Sequence, residues 1–204
     1  MSNKSPIHPG AVAWTGENPG IYLKDTQEGP WTGLMCFFRI FYSAHGMGSG
    51  ILVLDKPGIA KGRPEVDNFC ISDNEPLAKY LIAEFFSKFA SFRVSPGIGA
   101  VTHLPLIECR REGSTLSTYS EIVRAADVEV VATWSKLGAP YAVDMPAENG
   151  PTKLHQMYSL FLDAGEGAVT INGRQLAGKV MQRDFAGTRK STAFLAFSES
   201  WMQV

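Results

Sequence analysis

The fold is indicated first by residues 34–42, which read LMCFFRIFY. This run is apolar at both odd and even positions, whereas a strand with one face in water alternates apolar and polar residues. We therefore expect a strand that is covered on both sides, or covered on one side and lining a cavity on the other. Gly46, Gly48 and Gly50 follow, and then the aliphatic residues 51–54. No helix begins behind these glycines, so a glycine-rich hairpin is favoured over a phosphate-binding loop.

Short strands and turns account for most of the remaining chain. We predict strands at residues 66–71, 104–111, 115–124, 127–134, 156–162, 168–171 and 191–201. Asn172-Gly173 is typical of a two-residue hairpin turn. Residues 140–152 contain three prolines and are expected to form a loop. Residues 1–33 are rich in Gly and Pro, which predicts an irregular arm with one short strand at residues 21–23.

One helix is predicted among the strands, at residues 74–92. Capping residues and a proline precede it in the sequence SDNEP at residues 72–76. Leu77, Leu81 and Phe85 then recur every four residues, with further apolar residues beside them. The apolar arc is wide, so we expect a mostly buried helix that packs on a sheet. The fold class is therefore mainly β (α+β), with residues 1–204 forming a single curved antiparallel β-barrel or cone of about ten strands and one buried helix.

Composition excludes several classes of protein. The chain has 204 residues, 19 Lys and Arg against 20 Asp and Glu, and 45% hydrophobic residues. A net charge of −1 provides no basic face for nucleic acid or anionic lipid, and no apolar segment approaches the roughly 20 residues of a membrane helix. The cysteines are odd in number and widely spaced, and the histidines lack ligand spacing, so we expect a cytoplasmic protein without disulfide, metal or cofactor.

Charged residues on apolar strands are the candidate binding residues, because burying an unpaired charge is costly. Arg39 lies between Phe37 and Phe41, and by strict alternation Glu199 shares a face with Leu195, Phe197 and Trp201. Glu108 likewise shares a face with leucines. Arg39 paired with Glu199 or Glu108 would be a polar anchor in an apolar pocket, and a purely structural ion pair is the alternative. The expected pocket walls are Phe37, Phe41, Trp134, Tyr158, Phe197 and Trp201.

A second polar segment surrounds Arg183 and Asp184, between Gly178 and Gly187. The mixed charges are typical of a solvated loop, and a lid or an oligomer contact is the alternative.

The segment Asp73-Asn74-Glu75-Pro76, opening a helix that ends near Lys88, resembles acetoacetate decarboxylase. The resemblance implies a curved β-barrel or cone around a hydrophobic cavity, and it implies that Lys88 matches the family's Schiff-base lysine. The family's Gly-Arg-Glu residues and its Pro-Lys pair are absent, and no second lysine flanks Lys88 to lower its pKa. A second, weaker resemblance runs from Trp134 to the end of the sequence, where residues 173–189 are similar to the late strands of lipocalin-like carotenoid hydratase relatives. It also implies a barrel with a cavity.

Three functions remain open from the sequence. The first is binding of a small apolar or carboxylate-bearing molecule in an internal cavity, with or without a reaction. The second is a carbon–carbon lyase of the decarboxylase type that uses Lys88. The third is a structural, homo-oligomeric domain, since the apolar strands and the low charged fraction of 19% are compatible with a homodimer.

Overall fold

The structure is a computed structural model that describes residues 11–59 and 68–204. It is mainly β. The strands are β1 (Val12–Glu17), β2 (Gly20–Lys24), β3 (Trp31–Ser43), β4 (Gly48–Leu54), β5 (Asn68–Ser72), β6 (Thr102–Pro105), β7 (Glu108–Gly113), β8 (Tyr119–Arg124), β9 (Glu129–Leu137), β10 (Tyr141–Met145), β11 (His155–Ile171), β12 (Arg174–Gln175), β13 (Lys179–Val180), β14 (Gln182–Phe185), β15 (Thr188–Ser191) and β16 (Ala193–Gln203). The helices are α1 (Glu75–Glu84) and α2 (Ala90–Arg93), with 3-10 turns at Phe86–Lys88 and Pro96–Ala100.

Fourteen of the described strands form one sheet, and β14 and β15 form a separate hairpin. The strand order is β6-β5-β4-β3-β1-β16-β11-β9-β8-β7, with β2 continuing β1 between β3 and β16. The pairs are antiparallel except for β5 and β6, which are parallel. The sheet is strongly curved, because residues of β4 and β5 belong to the same buried cluster as residues of β8 and β9 from the other end of the sheet.

Both faces of the sheet are covered along residues 34–40, as the sequence predicts, whereas Phe41 and Tyr42 at the end of the predicted run are exposed. On β3, Leu34, Cys36 and Phe38 belong to a cluster that includes the buried residues of α1, and we call this side the helix face. Met35 and Phe37 point to the opposite side, the inner face, where strands from both ends of the sheet pack together. The apolar side chains of β3 alternate between two hydrophobic cores, one on each face of the sheet. This explains why the strand is apolar at both odd and even positions.

The predicted helix is shorter and more exposed than its sequence suggests. Asn74 caps α1, because its side-chain Oδ1 accepts a hydrogen bond from the Leu77 N–H at 3.1 Å. The regular helix ends at Glu84, and the chain continues as a 3-10 turn and the single turn of α2. This break allows four phenylalanines to reach one sheet face, and α1 itself buries only Leu77, Ala78 and Leu81. The four are Phe85, Phe86, Phe89 and Phe92.

Other predicted elements agree in part with the structure. The turns at Gly46 and at Asn172-Gly173 join paired strands, as predicted. Gly46, Asn172 and Gly173 all have positive φ. The short strand predicted at residues 21–23 is β2, and β1 is a further strand in the arm that was expected to be irregular. Residues 1–10 of that arm lie outside the described residues. The expected loop at residues 140–152 contains β10, and the expected polar loop around Arg183 is the β14–β15 hairpin. Residues 66 and 67 of the strand predicted at 66–71 are also outside the described residues.

Among residues 11–59 and 68–204, no helix has both the length and the apolar character needed to cross a membrane.

Candidate functional site

A cavity of about 420 Å³ lies on the helix face of the sheet. Its floor comes from β2, β11 and β16, and its sides come from the segment at residues 88–93, the loop before β11 and the β14–β15 hairpin. The volume is within the range of about 300–1,000 Å³ that is usual for small-molecule sites. This part of the structure can therefore hold a small organic molecule.

The floor of the cavity is apolar and mostly aromatic. Its buried residues are Tyr22, Met157, Phe161, Phe194 and Trp201. Phe194 packs edge-on against Tyr22 at 5.5 Å and lies 5.7 Å from Phe161, between ring centroids. Since these side chains hold one another in place, the floor is a preformed apolar surface for a ring or an alkyl chain.

Glu199 is a buried carboxyl group in this apolar floor, with 3% of the residue exposed. Its Oε1 accepts hydrogen bonds from Trp201 Nε1 at 2.6 Å and from Asn18 Nδ2 at 3.4 Å. Burial raises the pKa of Glu199 to about 7, although hydrogen bonds from Trp201, Asn18 and Ser159 and the charge of Arg183 act in the opposite direction. The carboxyl group therefore holds its proton at a higher pH than an exposed glutamate does.

A bulge in β16 places Glu199 in the cavity. Ser198 has a φ of 52°, and the pairing of β16 with β11 shifts at this point, from Phe197 opposite Leu160 to Ser200 opposite Tyr158. A bulge adds one residue and so changes which side chains share a face. As a result Leu195 and Phe197 face the inner cluster, whereas Trp201 faces the cavity with Glu199. The expectation that all four residues share one face is wrong for this reason.

Asn18 lies beside Glu199 at the junction of β1 and β2. Its backbone N–H donates to the Ala196 carbonyl at 2.9 Å, and the residue is 3% exposed. Pro19 follows it and interrupts the strand. The side-chain Oδ1 of Asn18 is buried and has no hydrogen-bond partner among the described residues.

Arg183 forms one wall of the cavity. Its guanidinium carbon lies 4.3 Å from the centre of the Phe194 ring and 4.9 Å from that of Phe185. Nε donates to the Ser191 carbonyl at 3.2 Å, and among the described residues the two terminal nitrogens make no hydrogen bond. Burial lowers the pKa of Arg183, but a guanidinium group stays charged in proteins. The side chain thus presents a positive group with free donors.

The remaining charged residues are at the exposed rim of the cavity. Three of them are cationic and one is acidic: Lys88, Arg93, Lys153 and Asp184. With Arg183 and Glu199 included, four cationic side chains stand against two acidic ones, so the cavity attracts anions.

The structure brings three of the predicted site residues to this cavity, namely Lys88, Glu199 and Trp201. It places Arg39 elsewhere. Arg39 binds Glu17 and also Glu121, at 3.0 Å, so the expected pairing with Glu199 or Glu108 is wrong. Burial acts to lower the pKa of Arg39, but the hydrogen bonds and charges of Glu121 and Glu17 outweigh it and raise that pKa.

The other predicted residues are distributed over both faces and the surface. Glu108 pairs with Arg110 and Arg124 on exposed strands. Phe37, Trp134 and Phe197 pack in the inner cluster. Phe41 is 55% exposed, and the Tyr158 hydroxyl accepts a hydrogen bond from Gln156 at 2.6 Å. None of these side chains lines the cavity.

Several cavity residues were not among the binding residues predicted from the sequence. The sequence places Asn18 in an irregular arm and Tyr22 in the short strand predicted at residues 21–23. It places Arg183 in a segment typical of a solvated loop, with a lid or an oligomer contact as the alternative. The Asn18-Pro19 pair could have indicated an interrupted strand, since proline is found at edges and breaks of strands. For Phe161 and Phe194, the sequence predicted strands but not which face each ring would take.

Within the described residues, no three His, Cys, Asp or Glu side chains are grouped closely enough to hold a metal ion. Comparison of the chain with protein-family models, with curated proteins and with solved structures gives no match.

Proposed function

We propose that this protein binds a small organic acid with an apolar body in the cavity on the helix face. The observation that carries the proposal is the combination of an aromatic floor with an excess of cationic side chains around it. Ligand sites are commonly apolar with a few polar anchors that fix orientation. The apolar part of the ligand would lie on Phe194, Phe161 and Met157, and its carboxylate would pair with the cationic side chains around this floor.

Arg183 is the proposed anchor of the carboxylate. Guanidinium and carboxylate form two parallel hydrogen bonds, which requires free terminal nitrogens. Arg183 has them among the described residues, and stacking on Phe194 and Phe185 holds its plane. Arg39, the anchor expected from the sequence, already uses its donors on Glu17 and Glu121.

Thermal unfolding with pairs of small ligands tests this proposal. Phenylacetate and hexanoate should raise the Tm of the wild-type protein, whereas the uncharged phenylacetamide and hexanamide should not. Arg183→Met should weaken carboxylate binding by about tenfold or more, because one charge-assisted pair contributes at least about 1.4 kcal/mol. Arg110→Met, on the exposed strand β7, is the matched control and should bind as the wild type does. Equal binding of acids and amides, or full binding by Arg183→Met, would contradict the proposal.

A Schiff-base lyase is the second candidate, because Lys88 lines the same cavity. The Nζ lone pair would attack the ketone carbon of a β-keto acid, and the carbonyl oxygen would leave as water, giving an iminium ion. The electrons of the bond to the carboxylate carbon would then move toward the iminium nitrogen as CO₂ leaves, and protonation and hydrolysis would restore the amine. This chemistry needs a neutral lysine.

Borohydride reduction in the presence of acetoacetate distinguishes this candidate. Peptide mass mapping should find the reduced adduct on Lys88, and Lys88→Arg should abolish it. Lys153→Arg is the control, because Lys153 is another exposed lysine at the rim. The absence of an adduct on Lys88 would remove the lyase.

For the fold, the proposal is that the curved sheet closes into a barrel through the connection between its two edge strands. Leu106 N–H donates to the Ser72 carbonyl at 3.0 Å, and Ile107 N–H donates to the Arg124 carbonyl at 2.8 Å. Residues 106 and 107 thus hydrogen-bond to β5 on one side and to the end of β8 on the other. This contact supports closure and leaves the inner face filled by its own side chains.

A further inference from the structure

The floor of the cavity contains a polar group whose hydrogen-bonding capacity is not used. Asn18 Oδ1 is buried, and no described residue donates to it. Buried carbonyl oxygens of this kind nearly always have a partner, because leaving one unpaired loses its interaction with water without replacement. The residue also lines the cavity, so a molecule in the cavity is the natural source of a donor.

Glu199 determines what kind of donor fits beside Asn18. Its Oε1 already accepts hydrogen bonds from Trp201 and Asn18, and the group sits in an apolar surrounding that disfavours a full negative charge. A cationic amine would also meet the positive charges of Arg183 and the rim. A neutral group that can both donate and accept therefore suits this pair better than an ammonium group. A hydroxyl group has this property.

We propose that Asn18 and Glu199 form a hydroxyl-recognition site, so that the preferred ligands of the cavity are hydroxylated acids. The ligand hydroxyl donates to Asn18 Oδ1, and its oxygen can accept a hydrogen bond in turn from the Glu199 carboxyl group. This inference rests on the proposed function, because it adds a second polar contact to the acid that Arg183 binds.

Matched ligands differing only in the hydroxyl group test the inference. Titration calorimetry at pH 6 should compare phenylacetate with 3- and 4-hydroxyphenylacetate, and hexanoate with 6-hydroxyhexanoate. In at least one series the wild-type protein should bind a hydroxylated acid about tenfold or more tightly than its parent. A site built to hydrogen-bond a hydroxyl group discriminates strongly against an analogue that lacks it.

Variants of Asn18 assign the preference to this site. Asn18→Leu, which has a similar shape and no acceptor, should abolish the preference, so that each hydroxylated acid and its parent bind with about equal affinity. Asn18→Ala serves if the leucine variant does not fold, and the wild-type ratio shows whether any preference for a hydroxyl group exists. Equal affinity of wild type for every hydroxylated acid and its parent overturns this inference alone. A preference that survives in the Asn18 variants also overturns it, and failure of all acids to bind overturns both it and the proposed function.

Discussion

Glu199 is the cavity residue whose burial lowers the stability of the folded protein, and it does so in a pH-dependent way. A carboxyl group whose pKa is raised by burial makes stability depend on pH, because the folded and unfolded states bind its proton with different affinity. Its pKa is about 7 in the folded protein against 4.5 without burial. The folded state therefore binds the proton more tightly, and the penalty on stability is absent below pH 4.5, grows as the pH rises to 7 and is complete above that.

Replacing Glu199 with glutamine should remove this penalty. We expect Glu199→Gln and wild type to have similar free energies of unfolding at pH 4.5, and the variant to be more stable at pH 8 by on the order of 3 kcal/mol. Urea denaturation at several pH values measures the difference. Glu148→Gln, at an exposed position in the loop before β11, is the control. A difference between variant and wild type that does not change with pH would contradict the pKa assigned to Glu199.

Arg39 should matter for stability and not for binding. Glu121 is fully buried, and it accepts hydrogen bonds from Arg39 and, at 2.5 Å, from the Tyr119 hydroxyl. Arg39→Met leaves this charge buried and unpaired, which should lower the free energy of unfolding by about 3 kcal/mol or more. Adding Glu121→Gln to the same chain should recover part of the loss.

Chemical denaturation of the two Arg39 variants, with Arg110→Met as a surface control, gives these values. Phenylacetate should still raise the Tm of folded Arg39→Met. Full stability of Arg39→Met would show that the ion pair does not hold the inner face together.

At the scale of single elements, the sequence predicts the burial of β3 and the cap of α1 but not the orientation of the residues at the end of β16. The two-sided burial of β3 and the capping of α1 by Asn74 follow from local patterns, since alternation and capping depend on near neighbours. The face taken by Glu199 does not follow from such patterns. It depends on the bulge at Ser198, where the chain has a positive φ. A glycine at this position would have indicated a bulge from the sequence, but a serine does not.

The bulge itself can be tested at Ser198. Its φ of 52° lies in the left-handed region, which a β-branched side chain tolerates poorly. Ser198→Val should lower the free energy of unfolding by on the order of 1–3 kcal/mol and weaken phenylacetate binding, because the bulge positions Glu199 and Trp201. Ser198→Gly is the matched control and should retain binding. Denaturation and titration calorimetry measure both effects, and a valine variant indistinguishable from wild type would mean that the bulge is not required.

At the scale of the whole molecule, the mainly β fold was predictable but the position of the cavity was not. Composition and turn spacing indicate a curved sheet with helical cover. The cavity was expected inside a barrel, at Arg39 and Phe37, but those residues lie on the inner face with their own partners. The cavity on the helix face joins Asn18, Arg183 and Glu199, which are far apart in the chain. The pairing of β1 and β2 with β16 brings Asn18 to Glu199, and the separate β14–β15 hairpin adds Arg183. Both arrangements depend on long-range contacts that local patterns do not encode.

The central claim is that this cavity binds a small acid through Arg183. A crystal structure of the protein with 4-bromophenylacetate tests it most directly, because the anomalous scattering of bromine locates the ligand without fitting it to the electron density. The predicted result is bromine on the aromatic floor near Phe194 and Phe161, with the carboxylate within hydrogen-bond distance of the Arg183 guanidinium. Bromine bound only at another place, or a carboxylate turned away from Arg183, would contradict the account.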